Sequence, residues 1–299
     1  DVQISRAARG HSGRGNPEGS SVPAFQMEVI MLLPERKKEL DALCRKLRAE
    51  LIRLLYKTQS GHPGGSLSVC EILTALYFEK ANTGRGEERD RILLSKGHAA
   101  PMLYLILAEK GFFPKEELET LRHIDTRLQG HPCMNHTPGV ELTSGPLGMG
   151  LSAGLGMALG LKLDQNPATV YVVLGDGELN EGTVWEACMS AAKFNAGNLI
   201  AIVDRNHVQL DGAEEEIMPM PHLEARFRAF GLDVFSCDGH DIAALCSAID
   251  AAQAAPGPSV ILAETVKGKG VSFMEGKNIW HGRPIDRESF TAALRELEG

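Results

Sequence analysis

"LGDGELNEGTVWEA", residues 174–187, follows directly on the apolar run "ATVYVV" and decides the fold. A short apolar run that ends in glycine reads as a buried strand. The chain then turns at once into acid. Asp176 lies between Gly175 and Gly177, and Glu178, Glu181 and Glu186 follow within ten residues. Surface decoration is one reading of such a cluster. A metal and a charged cofactor are the other.

The rest of the chain gives the strand its setting. "DRILLS", "TVYVVLG", "NLIAIVD", "LDVFSCDG" and "PSVILAETV" read as strands, and helical patterns separate them. Continuous apolar strands alternating with helices predict an α/β fold, a mostly parallel sheet with helices on both faces. "PERKKELDALCRKLRAELIRLLYKTQ" places Leu40, Leu43, Leu47, Leu51, Leu54 and Leu55 on one helical face. "SGHPGG" reads as a loop after it, and "SVCEILTALYFEK" as the next helix. "GPLGMGLSAGLGMALGLKL" reads as a helix so rich in glycine and alanine that something must approach it closely. Residues 1–26, with "ARGHSGRGNPEGSSVP", lack an apolar period and read as a disordered tail. A cloning remnant or misplaced start accounts for it, with Met27 or Met31 as the natural first residue. Residues 27–299 are expected to form one domain.

The formal net charge of the 299 residues is -8, and Lys and Arg are scattered. This argues against nucleic acid as the partner. No apolar run has the ~18–20 residues of a membrane span. The six cysteines, Cys44, Cys70, Cys133, Cys188, Cys237 and Cys246, form no C-x-x-C pair. Buried thiols in a reducing, cytoplasmic setting are expected, not disulfides or zinc.

In an open parallel sheet, ligands sit beyond the carboxyl ends of the strands. Asp176 and Asn206 close two such strands, 30 residues apart, which fits one intervening helix. Their oxygens suit a hard cation, Mg²⁺ or Ca²⁺, whose shell is completed by water and phosphate. Singly, each residue is more simply a turn former. Four histidines add to the pattern: His62 in "SGHPGG", His98 in "SKGHAAP", His131 in "QGHPCM" and His281 in "WHGRP". Each is flanked by glycine or proline, so each belongs to a loop or a helix start rather than a packed face. His123, His136 and His240 read as structural or surface residues.

"GDGELNEGTVWEA" followed by "DRNHVQLDG" resembles the thiamine diphosphate fingerprint, and the ordered set of motifs is similar to the transketolase family from about Pro34 to Gly299. The resemblance implies a thiamine diphosphate-binding fold, specifically the diphosphate-binding domain. It implies that Asp176, Asn206 and the Val208 carbonyl hold the divalent cation, with Gly177 at the diphosphate. "TSGPLGMG" matches a loop that touches the cofactor through Gly145, Pro146 and Leu147. Lys96 matches a further site position. "KGKG" places Lys267 fourteen residues before His281, near diphosphate and sugar. The four histidines line the channel over the thiazolium. His281 and His62 are expected to move protons, and His98 and His131 to orient the substrate.

A whole transketolase is about twice this length, and its second half binds the aminopyrimidine ring. The chain stops at "FTAALRELEG", so it looks like the N-terminal subunit of a split transketolase. The implied partners are a C-terminal, pyrimidine-binding subunit in a dimer of heterodimers, and sugar phosphates. The implied reaction moves a two-carbon ketol unit from a ketose phosphate to an aldose phosphate, as in the pentose phosphate pathway. Glu181 and Glu186 match glutamates that lie between two active sites, and solvent exposure is the expectation for Glu178. Trp185 could face the partner or fill the core. The alternatives are a split ketol transferase for a modified sugar, a non-catalytic half-enzyme, a deoxyxylulose-phosphate synthase and the α chain of a 2-oxoacid dehydrogenase.

Overall fold

Five apolar runs extend as strands because β-branched and aliphatic side chains fill both faces of a covered sheet. They are β1 (Arg91–Leu94), β2 (Val170–Gly175), β3 (Leu199–Arg205), β4 (Asp233–Asp238) and β5 (Ser259–Glu264). Every pairing is parallel, in the order β1-β2-β3-β5-β4. The computed structural model describes residues 32–299. The proposed tail and its two candidate start methionines lie outside the described residues.

The helices are α1 (Pro34–Thr58), α2 (Pro63–Ser68), α3 (Cys70–Ala75), α4 (Ala100–Glu109), α5 (Met149–Leu163), α6 (Gly182–Lys193), α7 (Glu214–Ile217), α8 (Leu223–Ala229), α9 (Ile242–Ala254) and α10 (Arg287–Glu298). Side-chain alternation along the strands divides the core in two. Tyr171, Val173, Ile200, Ile202 and Ile261 face one layer, with α1, α3, α4 and α9. Val170, Val172, Leu174, Val203 and Leu262 face the other, with α5, α6 and α8. The leucines of α1 are buried apart from Leu43, which is half-buried.

Two boundaries differ from the sequence reading. "SGHPGG" is not all loop: His62 is the N-cap and Pro63 the first residue of α2. A proline at that position lacks only an N–H that the helix would leave unpaired. The helix read in "GPLGMGLSAGLGMALGLKL" starts only at Met149, because residues 146–148 turn before it. The glycine content of α5 has one clear cause. A Cβ at Gly154 would lie 2.4 Å from Val172 Cγ2, so the helix sits directly on β2.

His240 is structural. Its Nδ1 lies 2.9 Å from Glu71 Oε2, and its Nε2 accepts the Val266 N–H at 2.8 Å. Glu71 also pairs with Arg48 through both oxygens, at 2.5 Å each. Cys44 and Cys70 lie next to this carboxylate, but its oxygens are already engaged. All six cysteines are unpaired, and four are buried. No helix among the described residues is long and apolar enough to cross a membrane.

Candidate active site

The carboxyl ends of β1, β2, β3 and β5 lead into one cleft of about 310 Å³. β1 leads to Lys96 and His98, β2 to Asp176, β3 to Asn206 and Val208, and β5 to Lys267. Three further loops add His62, His131 and His281, and the turn before α5 adds Gly145 and Leu147. Residues from widely separated stretches of sequence thus meet at one edge of the sheet.

Asp176 is 3 % exposed. Its Oδ1 accepts the Gly177 N–H at 2.8 Å and its Oδ2 the His207 N–H at 2.5 Å. Burial, with Asp204 close by, nevertheless pushes its pKa up to about 6. Asn206 Oδ1 accepts the Val208 N–H at 3.3 Å. The Val208 carbonyl accepts from Lys267 Nζ at 2.8 Å. A carboxylate, an amide oxygen and a peptide carbonyl are the donor types that a hard divalent cation takes. Asp176 and Asp204 are the groups that favour positive charge here, since they support the Lys267 ammonium against burial and Lys96. The donor set fits the cation.

Lys267 also reaches the Gln209 carbonyl at 3.2 Å and His281 Nδ1 at 3.1 Å. Burial and the charge of Lys96 bring its pKa down to about 8. Lys96 is paired with Asp204 and donates to the Gly65 carbonyl at 3.1 Å. Asp204 is fully enclosed and also takes hydrogen bonds from Ser68, at 2.5 Å, and Thr265. Two lysines therefore put positive charge on one wall of the cleft, where a diphosphate would need it.

The structure brings the four histidines together. Ring centroids are 5.5 Å apart for His62 and His98, 5.3 Å for His62 and His281, 5.1 Å for His98 and His281, and 6.3 Å for His62 and His131. Burial, Arg122, His131 and Lys267 push His62 down to about 4. Burial, Lys267, His62 and Lys96 push His281 down to about 3. His98 falls well below its ordinary value, mainly through burial and Lys96. His131 is lowered by burial and Arg122. All four imidazoles are therefore neutral at pH 7, able to accept or donate hydrogen bonds. His62 Nδ1 and Gln209 Nε2 are buried without a partner among the described residues, so the cleft holds spare polar capacity for a ligand.

The expectation for Glu178 is overturned. It is 2 % exposed and lines the cleft. The chain after Asp176 folds back in a tight 3₁₀ turn, which carries the carboxylate inward. There it accepts from Ser95 Oγ, from the Gly148 N–H at 2.9 Å and from the Gly175 N–H at 3.0 Å. It ties the ends of β1 and β2 to the N-terminus of α5. Glu178→Ala should cost about 2 kcal/mol in urea unfolding, since it strands three donors. A change under about 0.5 kcal/mol would be that of a surface glutamate and would contradict this role.

Pro146, Glu181 and Glu186 do not line the cleft and are exposed. Glu181 lies close by, since its Cβ is 2.5 Å from where a Cβ on Gly148 would sit. Trp185 packs against Phe227 and Phe230, with centroids 5.0 and 5.2 Å away, and its Nε1 donates to the Leu179 carbonyl at 2.9 Å. It is half-buried, packed against the edge of the core. Sequence reasoning missed Asp204, Gln209 and Leu210. Asp204 had a signal: it is the one acid inside the run "LIAIVDRN".

The family profile described as "Transketolase, thiamine diphosphate binding domain" matches residues 40–298. The 6-deoxy-6-sulfo-D-fructose transketolase subunit of Clostridium sp. (strain MSTE9) is 45 % identical over 272 residues, covering 89 % of this chain and 98 % of that one. An apulose-4-phosphate transketolase subunit from Actinobacillus succinogenes is 39 % identical, covering 87 % of this chain and 96 % of that one. The crystal structure of transketolase from Campylobacter jejuni superposes with a TM-score of 0.80 at 30 % identity. That match covers 89 % of this chain but only 43 % of the longer one.

Proposed function

This chain belongs to the transketolase family, in its thiamine diphosphate-binding domain, and from that premise we propose that it is the diphosphate-binding subunit of a two-subunit transketolase. The observation that carries the reading is the convergence of four neutral imidazoles beside the oxygens of Asp176, Asn206 and Val208.

Asp176, Asn206 and the Val208 carbonyl would hold a divalent cation, Mg²⁺ or Ca²⁺, which would supply the positive charge a diphosphate needs. Lys267, and Lys96 behind it, add charge on the same side. Gly145, Leu147 and Gly177 form the backbone edge of the cofactor site. Thiamine diphosphate, when bound, supplies the nucleophilic carbon that accepts the two-carbon unit. This chain's own residues handle protons and orientation. Neutral His281 and His62 take the proton of the donor's C3 hydroxyl as the C2–C3 bond breaks, and return one to the acceptor. His98 and His131 hold carbonyl and hydroxyl oxygens in place.

A second subunit completes the site. Among the described residues, the cleft lining has no aromatic ring other than the imidazoles, and the stacking surface for the cofactor's pyrimidine is expected from a partner subunit. The two relatives named as subunits support this. Glu181 and Glu186, exposed near the cleft, face that partner in a dimer of heterodimers. Six unpaired thiols fit a cytoplasmic home.

The names of the same two relatives favour a modified sugar as donor. The test measures ketol transfer by the assembled enzyme, with thiamine diphosphate and Mg²⁺. The donors are fructose 6-phosphate, xylulose 5-phosphate, 6-deoxy-6-sulfo-fructose and apulose 4-phosphate. Transfer from at least one donor, abolished by chelation, is expected. No transfer from any ketose would refute the transketolase reading, and full activity without a partner would refute the subunit reading.

A further inference from the structure

Two of the cleft histidines stand on loops of similar spelling, "SGHP" at 60–63 and "QGHP" at 129–132. Neither loop belongs to the sheet, yet their imidazole centroids lie 6.3 Å apart. Tyr104 steadies the second loop from below, donating to the Gln129 carbonyl at 2.9 Å and the His131 carbonyl at 3.3 Å. The link between the two loops is Arg122.

Arg122 Nη1 donates to Ser60 Oγ at 2.7 Å, and Nη2 reaches the Gly130 carbonyl at 3.5 Å. A Cβ on Gly130 would lie 2.9 Å from Nη2 and 3.0 Å from Cζ, so the guanidinium lies directly against that backbone. Two costs accompany this arrangement. Arg122 has φ +61°, in the left-handed region, which costs a non-glycine residue on the order of 1 kcal/mol. Its Nε is buried without a partner among the described residues. Such costs persist where the surroundings enforce them, and they cluster at functional sites.

We propose that Arg122 is a positioning residue whose single guanidinium bridges the Ser60 and Gly130 loops and so sets the spacing of His62 and His131 across the cleft. Its catalytic consequence rests on the transketolase reading, but the bridge itself does not. The electrostatics agree with the geometry. After burial, Arg122 is the first influence lowering His62, ahead of His131 and Lys267, and it is the charge that lowers His131. His98 and His281 also face His62, and they respond to Lys96, Lys267 and His62 rather than to Arg122.

The test follows the four imidazole signals by NMR in the full chain, for wild type, Arg122→Met and Arg122→Lys. In Arg122→Met, His62 and His131 should titrate at higher pH, and His98 and His281, which feel Arg122 only through His62, should move less. Arg122→Lys should restore the titrations, because the charge returns without the fork. In the assembled enzyme, Arg122→Met should lower kcat/KM by about 100-fold through misplacement, and Arg122→Lys should recover only part of it. Unmoved His62 and His131 titrations in a folded Arg122→Met would overturn the proposal, as would wild-type kcat/KM. Should Arg122→Met fail to fold, Ser60→Ala removes one bond of the bridge. A raised KM then supports the proposal and an unchanged KM overturns it. Failure of wild-type ketol transfer would strike the transketolase reading, and the NMR titrations would still decide on Arg122.

Discussion

Asp176→Asn should abolish ketol transfer in the assembled enzyme while making the cofactor-free chain more stable near neutral pH. The first half follows from ligand chemistry. An amide carries no charge, and the partners of metal ligands alone are worth about 10–100-fold in affinity, so losing a ligand's charge should exceed 100-fold. The second half follows from the buried carboxylate. Burial and Asp204 hold Asp176 up to about 6 in the folded chain, against about 3.9 in an unfolded one. A raised carboxylate pKa destabilises the fold when the group is ionised. The penalty is full above pH 6, shrinks between pH 6 and 4, and is gone below both values. The gap corresponds to about 3 kcal/mol at most. Urea unfolding with chelator present should therefore favour Asp176→Asn at pH 7.5 and disfavour it near pH 3.5, where the charge penalty is gone and the amide NH2 still faces one of the two backbone N–H donors. Cofactor affinity equal to wild type, by calorimetry with Mg²⁺, would refute the metal assignment. With the expected results, the site is one where stability is given up for a charge that only the bound cation compensates.

The sheet was legible because apolar periodicity reports burial directly. "TVYVVLG" and "NLIAIVD" pair side by side, and that adjacency puts Asp176 and Asn206 together. The histidines were legible for a different reason. Glycine and proline on either side mark chain that must leave a packed face, and in this fold such chain collects at one sheet edge. What escaped was buried polarity. Glu178 looks like any acid in a surface run, and only the 3₁₀ turn shows that it points inward. Arg122 in "TLRHID" has no sequence signal at all, because its partners are 62 and 8 residues away. A polar side chain can be buried only where partners satisfy it, and those partners are set by tertiary structure.

Lys96→Met should be the most destabilising single change in the cleft, at about 3–5 kcal/mol, because it strands a buried carboxylate. Asp204 has no exposed surface, and Lys96 is its cation. Burial alone would raise Asp204. Lys96, with Ser68 and Thr265, reverses that and leaves it below its ordinary value. A depressed carboxylate pKa means that the stabilisation is present above the unfolded value, near 3.9, and is lost as pH falls through the folded one. The penalty of Lys96→Met should accordingly be large at pH 7 and shrink in acid, as Asp204 becomes protonated in the variant. The double variant Lys96→Met/Asp204→Asn removes both charges and should recover most of the stability. It should not recover function. Lys96 lines the cleft, and its charge helps hold His98, Lys267 and His281 below their ordinary values. Without it those groups titrate closer to neutrality, and the wall that meets a diphosphate loses a cation. Urea unfolding at two pH values separates these effects from simple loss of fold. A cost under about 1 kcal/mol for Lys96→Met, or full cofactor affinity in the double variant, would contradict the assignment. Stability and cofactor binding should part company in the double variant because one ammonium serves both the buried carboxylate behind it and the cleft in front of it.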